Sequence, residues 1–223
     1  MSTIGWVTPA LPPSDLSTRQ EVLVVDFGAQ YAQLIARRVR ELQVYSRIVP
    51  HRISADEVVA AQPAGLILSG GPKSVHVDGA PTLDPAIYEL GIPILGICYG
   101  AQLIASQLGG AVGRGMRGEY GRAEMTRAGV SDLLTDDMPT VHDVWMSHFD
   151  AITEVPEGFV ATASTPDAPV AVLESTPRKI WGVQFHPEVV HSPHGMEVLS
   201  QFLHQLAGCD PEWKMSSVVD EQV

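Results

Sequence analysis

The sequence is poor in basic residues and cysteine, and it has no long apolar run. Fourteen Lys and Arg stand against 26 Asp and Glu, a formal net charge of −12. Such a surface repels phosphates, so neither nucleic acid nor an anionic membrane surface is expected as a direct partner. No apolar stretch approaches the ~20 residues that span a bilayer, and the N-terminus lacks the basic-then-apolar pattern of a secretory leader. Two cysteines, Cys98 and Cys209, are too few for a disulfide framework and fit a reducing compartment. A cytoplasmic protein is expected.

What is present is ordinary globular material: 223 residues, 45% hydrophobic and 18% charged, enough for one domain with a proper core. Residues 1–20 are rich in Pro, Ser and Thr without periodicity and read as a flexible leader. Residues 21–207 read as the folded domain. Residues 208–223 read as the start of a linker to a further domain.

Within the folded part, Val22 to Phe27 reads as a continuous apolar strand, Tyr45 to Val49 as a second strand and Gly65 to Leu68 as a third, buried one, alternating with helices, the first predicted over Tyr31 to Leu42. Strands that are apolar on both faces imply a mostly parallel sheet covered on both sides. Ser54 to Glu57 has the spacing of a capping box, and Asp84-Pro85 starts a further helix. After Gly109-Gly110 the pattern changes to short segments separated by turns: Arg122 to Thr126, Thr140 to Met146, Phe159 to Ser164, Val170 to Leu173 and Ile180 to Phe185. They predict a smaller antiparallel addition. Gly195 to Leu206 is the closing helix. The fold class is therefore α/β.

Chemistry concentrates in Ile92 to Gln102. An apolar strand runs into Gly96-Ile97-Cys98-Tyr99-Gly100 and on into a helix, the pattern of a nucleophile elbow carrying sulfur. Flanking glycines avoid a Cβ clash at a strained turn. Helix-initial N–H groups favour thiolate and can receive a developing oxyanion. Late in the chain, Trp181 to Glu188 reads as a strand delivering His186 and Glu188 two positions apart, on one side of an extended backbone. A thiol needs a base, and the base a carboxylate to set its tautomer. Cys98, His186 and Glu188 thus make a candidate catalytic triad.

Ser69-Gly70-Gly71-Pro72 ends the third strand and can place a backbone N–H beside the elbow, so Gly71 and Tyr99 are candidate oxyanion donors. The same segment lacks the glycines of a phosphate loop, and Lys73 stands where an ATP pyrophosphatase loop has aspartate. ATP binding by this segment is not expected. His186, His191 and His194 lie close in sequence, but a lone His-x-x-His is a weak metal pattern. No metal is expected.

These motifs together resemble the class I, triad-type glutamine amidotransferases, over about Glu21 to the C-terminus. Val25 to Tyr31, Gly118 to Gly121 and Val144 to Asp150 are similar to the branch whose ammonia serves a synthetase that aminates XMP to GMP. The resemblance implies Cys98 as nucleophile, His186 as base and acid, Glu188 as orienting carboxylate, and L-glutamine as substrate. Gln102, Ser147, Phe149 and Asp150 match the residues that hold glutamine. No cofactor is implied for this chain; ATP and Mg²⁺ belong to the synthetase (ATP pyrophosphatase) domain or subunit, which is the implied partner. Val190 and Phe149 depart from some relatives, which carry an aromatic residue and a glycine or asparagine there. A thiol hydrolase and a non-catalytic module remain rival readings; Gln102 and the Trp145 to Asp150 segment favour glutamine over the first. The polar, glycine-bearing loops Lys73 to Leu83 and Arg114 to Arg122 are expected surfaces for a synthetase domain.

Overall fold

The structure, a computed structural model, describes residues 20–28, 30–72 and 74–214, with residues 114–117 described by their backbone. The proposed leader, apart from Gln20, lies outside the described residues, as do Lys73 and residues 215–223.

One nine-stranded sheet organises the chain. Its strands are β1 (Glu21–Asp26), β2 (Tyr45–Pro50), β3 (Gly65–Leu68), β4 (Ile94–Ile97), β5 (Ala111–Arg127), β6 (Val141–Glu154), β7 (Val160–Ser164), β8 (Val172–Ser175) and β9 (Ile180–Val183). In the order β2-β1-β3-β4-β9-β8-β7-β5-β6, the first five run parallel and the rest pair antiparallel. The expected α/β sheet with an antiparallel extension is thus present.

Strands β3, β4 and β9 are buried along their whole length, as continuous apolar runs demand. Successive residues feed opposite cores. Val22 and Val24 pack with α1 (Tyr31–Glu41) and α4 (Gly195–Ser200), while Leu23 and Val25 pack with α2 (Ala55–Ala61) and α3 (Tyr99–Gln107). The capping box at Ser54 forms reciprocally: its Oγ accepts from the Glu57 N–H, and its own N–H donates to the Glu57 carboxylate. Asp84 caps a 3₁₀ turn, Pro85–Glu89, rather than an α-helix. The closing helix widens to π geometry over Gln201–Leu206.

The second half differs most from expectation. Residues 114–122 form part of β5, not a loop, and β5 and β6 make one long two-stranded ribbon with a bulge between Arg114 and Glu119. β9 stops at Val183, short of the expected Phe185, so His186 and Glu188 do not share a strand face. Residues 208–214 fold back on the domain. Cys209 is buried, the Trp213 N–H donates to the Gln43 carbonyl at 2.8 Å, and its ring lies against Tyr45.

Candidate active site

At the carboxyl end of β4 the chain must leave a fully buried strand and enter α3 at once. The residue that makes the turn is Cys98 itself, at φ +51° and ψ −104°. A non-glycine residue held there costs on the order of 1–3 kcal/mol and persists only when its surroundings over-determine it. They do. The Cys98 N–H donates to the Val183 carbonyl at 2.8 Å, and the Cys98 carbonyl accepts from Gln102 N–H at 3.0 Å. The flanking glycines serve close packing, and neither takes a positive φ. A Cβ on Gly100 would stand 2.3 Å from the Leu68 carbonyl oxygen, and one on Gly96 would stand 2.6 Å from Ile104. Strand β3 thus presses directly on the start of α3.

The thiol is 5% exposed. Its sulfur lies 3.8 Å from the Ser147 carbonyl oxygen and 3.8 Å from Gln184 Nε2. His186, near enough to Cys98 for the thiol to favour its charged form, has its ring 4.6 Å from that of Tyr31. Gly70 packs against both side chains: a Cβ there would meet the imidazole at 3.1 Å and stand 3.9 Å from Cys98 Cβ.

His186 Nδ1 donates to Glu188 Oε1 at 2.8 Å, and Glu188 is fully buried. A carboxylate can only accept, which assigns Nδ1–H and leaves Nε2 for the sulfur. Burial acts against a charged imidazole here, but the hydrogen bonds and charges of Cys98 and Glu188 outweigh it. The His186 pKa rises to about 11. The carboxylate reaches its partner from a turn after Pro187, not from a strand.

An open cleft of about 660 Å³ lies over the thiol. Gly71, Tyr99, Gln102, Ser147, Phe149 and Asp150 all line it with Cys98. Gly71 packs against the Tyr99 ring, where a Cβ would stand 2.9 Å from Cγ. Gln102 is built into the wall: its Nε2 donates to the Asp150 carbonyl at 2.6 Å and to Gln184 Oε1 at 3.3 Å. Phe149 is 46% exposed at the cleft, whereas Val190 is 75% exposed and outside the cleft lining. Of the two departures, only Phe149 bears on the pocket.

Sequence reasoning missed His148. It lines the cleft, and its Nε2 is 3.1 Å from Glu119 Oε2, whose carboxylate also accepts from Thr165 Oγ1 at 2.8 Å and 2.9 Å. Burial, the largest influence, holds the His148 pKa below its ordinary value against the pull of Glu119. Only the β5–β6 register, which sets Glu119 opposite His148, could have revealed the pair. Glu119 is therefore buried inside the ribbon, while its neighbour Tyr120 is 70% exposed at the mouth of the cleft.

The three late histidines diverge. His186 faces Glu188, His191 lies against Trp145 with ring centroids 4.6 Å apart, and His194 pairs with Glu197 at 2.8 Å. Among the described residues no group of three or more His, Cys, Asp or Glu could hold a metal ion. No helix among them is long and apolar enough to cross a membrane.

Comparison with known proteins bears on the family and the fold. The family model for glutamine amidotransferase class-I matches residues 23–206. A GMP synthase [glutamine-hydrolyzing] of Thermobifida fusca is 55% identical over 207 residues, 93% of this chain and 39% of the relative. The Mycobacterium tuberculosis protein of the same name is 53% identical over 213 residues, 96% of this chain and 38% of the relative. Among solved structures, a candidate GMP synthase subunit from Thermoplasma acidophilum superposes with a TM-score of 0.76 at 30% identity, covering 92% of this chain and 98% of that one. A Thermotoga maritima glutamine amidotransferase, 18% identical with a TM-score of 0.64, covers 85% of this chain and 98% of that one and shares the fold. The chain spans under two fifths of the length of the curated relatives.

Proposed function

The chain belongs to the class-I glutamine amidotransferases, and from that premise we propose that it hydrolyses L-glutamine to glutamate and ammonia through a thioester on Cys98. The observation that carries the reading is a thiol held at positive φ at a helix N-terminus, beside a histidine that is itself oriented by a buried carboxylate.

With the proton on His186, sulfur attacks the γ-amide carbon and the carbonyl oxygen takes up negative charge. The N–H groups of Gly71 and Tyr99 are the donors for that oxygen. His186 gives its proton to the departing nitrogen, which leaves as ammonia, and then takes one from the water that cleaves the thioester. Glu188 keeps the ring in one tautomer throughout. Ser147, Phe149 and Asp150 hold the α-amino and α-carboxylate groups, and Gln102 braces that segment.

The ammonia passes to a synthetase domain or subunit that uses ATP and Mg²⁺ to aminate XMP to GMP. The names of the relatives support this acceptor. Purified chain should release glutamate and ammonia from glutamine, and Cys98→Ala should release none. With a matching synthetase, XMP and ATP added, GMP should appear in step with glutamate. Glutamine turnover that survives in Cys98→Ala would refute the reading.

A further inference from the structure

The turn that carries the base and its carboxylate has no sheet ladder to hold it. β9 ends at Val183, so His186 and Glu188 stand three and five residues past the last strand position. Misplacement of a reacting group by about 1 Å can cost on the order of a hundredfold in rate, so something else must fix this turn.

Two side chains do so, each on a backbone carbonyl of a triad residue. Ser192 Oγ donates to the His186 carbonyl at 2.7 Å and accepts from the Trp145 N–H at 3.0 Å. The His186 N–H returns to the Trp145 carbonyl at 2.9 Å. A closed ring of bonds thus ties the base to β6, two residues before the Ser147 carbonyl that faces the sulfur. At the other end Arg38, on the last turn of α1, donates through Nε to the Glu188 carbonyl at 2.8 Å, and its Nη1 is braced by Glu41 at 2.6 Å. Pro187, between them, is backed by Gly195, where a Cβ would fall 2.0 Å from the Pro187 carbonyl oxygen. Ser192 and Glu188 are both buried.

We infer that Ser192 and Arg38 are positioning residues of the thiol chemistry, Ser192 acting through the base and Arg38 through its carboxylate. Neither touches the reacting atoms. The inference rests on the glutaminase reading above.

The test follows covalent labelling of Cys98 by the diazoketone analogue of glutamine, by intact mass, over a range of analogue concentrations. It separates the maximal labelling rate, the half-saturating concentration and the final labelled fraction. Ser192→Ala should lower the maximal rate about tenfold and leave the half-saturating concentration within about twofold, with labelling still going to completion. Ser192→Thr, which keeps the hydroxyl, should recover most of that rate. Arg38→Met, which keeps the stem without the donor, should act in the same direction as Ser192→Ala. A purely structural role predicts a smaller labelled fraction with an unchanged rate, and that result would overturn the inference, as would unchanged rates in both variants. An unsubstituted chain that is not labelled at all would instead remove the proposed function, and this inference with it.

Discussion

Replacing Glu188 with Gln is the sharpest perturbation of the triad, because it removes a charge while keeping shape and one acceptor oxygen. The carboxylate is fully buried and 2.8 Å from His186 Nδ1. At that separation and an effective dielectric near 20, an imidazolium and a carboxylate attract by about 6 kcal/mol, much of it spent on desolvating both. What survives as the net worth of a charge-assisted hydrogen bond is about 1.5–3 kcal/mol. If all of it is felt in the transition state, the rate falls roughly 10- to 150-fold. The direction of the pH effect also follows. Burial works against a charged His186, and with the carboxylate gone only Cys98 opposes it, so the His186 pKa should drop from about 11. Steady-state glutaminase rates from neutral to alkaline pH should therefore show kcat reduced by one to two orders of magnitude and the alkaline limb moved to lower pH, with KM little altered. A variant within twofold of the unsubstituted chain, or one whose alkaline limb stays in place, would refute the orienting role of Glu188.

The parallel half of the fold was legible because its physics is local. Val22 to Val25, Gly65 to Leu68 and Ile94 to Ile97 are apolar without alternation, which suits strands buried on both faces; β1 and β3 appear within a residue of their expected bounds, and β4 starts two residues after Ile92. The β5–β6 ribbon was not legible. Gly113, Gly118 and Gly121 break its pattern, and the strand exists because β6 pairs with it across a bulge. Cys98, His186 and Glu188 could be named from motifs, since the elbow and the His-Pro-Glu run are contiguous. How they meet could not: the turn after Val183 depends on Arg38, 150 residues away from Glu188, and on a hydroxyl whose partners lie on two elements. Cys209 has no activating neighbour in sequence, and in the fold it is buried, with its pKa pushed up to about 11 by burial.

Three further outcomes are expected. Gly100→Ala should destabilise the domain, because the new Cβ would stand 2.3 Å from the Leu68 carbonyl oxygen in a central strand; overpacking of about 1–3 kcal/mol, at about 2–4 °C per kcal/mol for a domain this size, lowers Tm by several degrees, and an unchanged Tm would contradict the packing described. The His186 pKa, raised to about 11 from 6.5, contributes stability that is complete below the unfolded value and lost as pH rises towards the folded one; urea midpoints should show the margin of the unsubstituted chain over His186→Gln shrinking between about pH 6.5 and 11, and a constant margin would refute it. His148 is shifted the other way, below its ordinary value, so its contribution is lost as the medium is acidified; His148→Gln should lessen the acid sensitivity of the urea midpoint below about pH 6.5, and an equal sensitivity in both proteins would argue against a buried neutral His148.

The central claim is a covalent intermediate on one sulfur. Acid-quenching the chain during glutamine turnover and mapping peptides by mass spectrometry tests it most directly. The account predicts a γ-glutamyl thioester on the Cys98 peptide, released by hydroxylamine and absent from Cys98→Ala. Continued glutamate release with no adduct at Cys98, or an adduct on Cys209 instead, would contradict it.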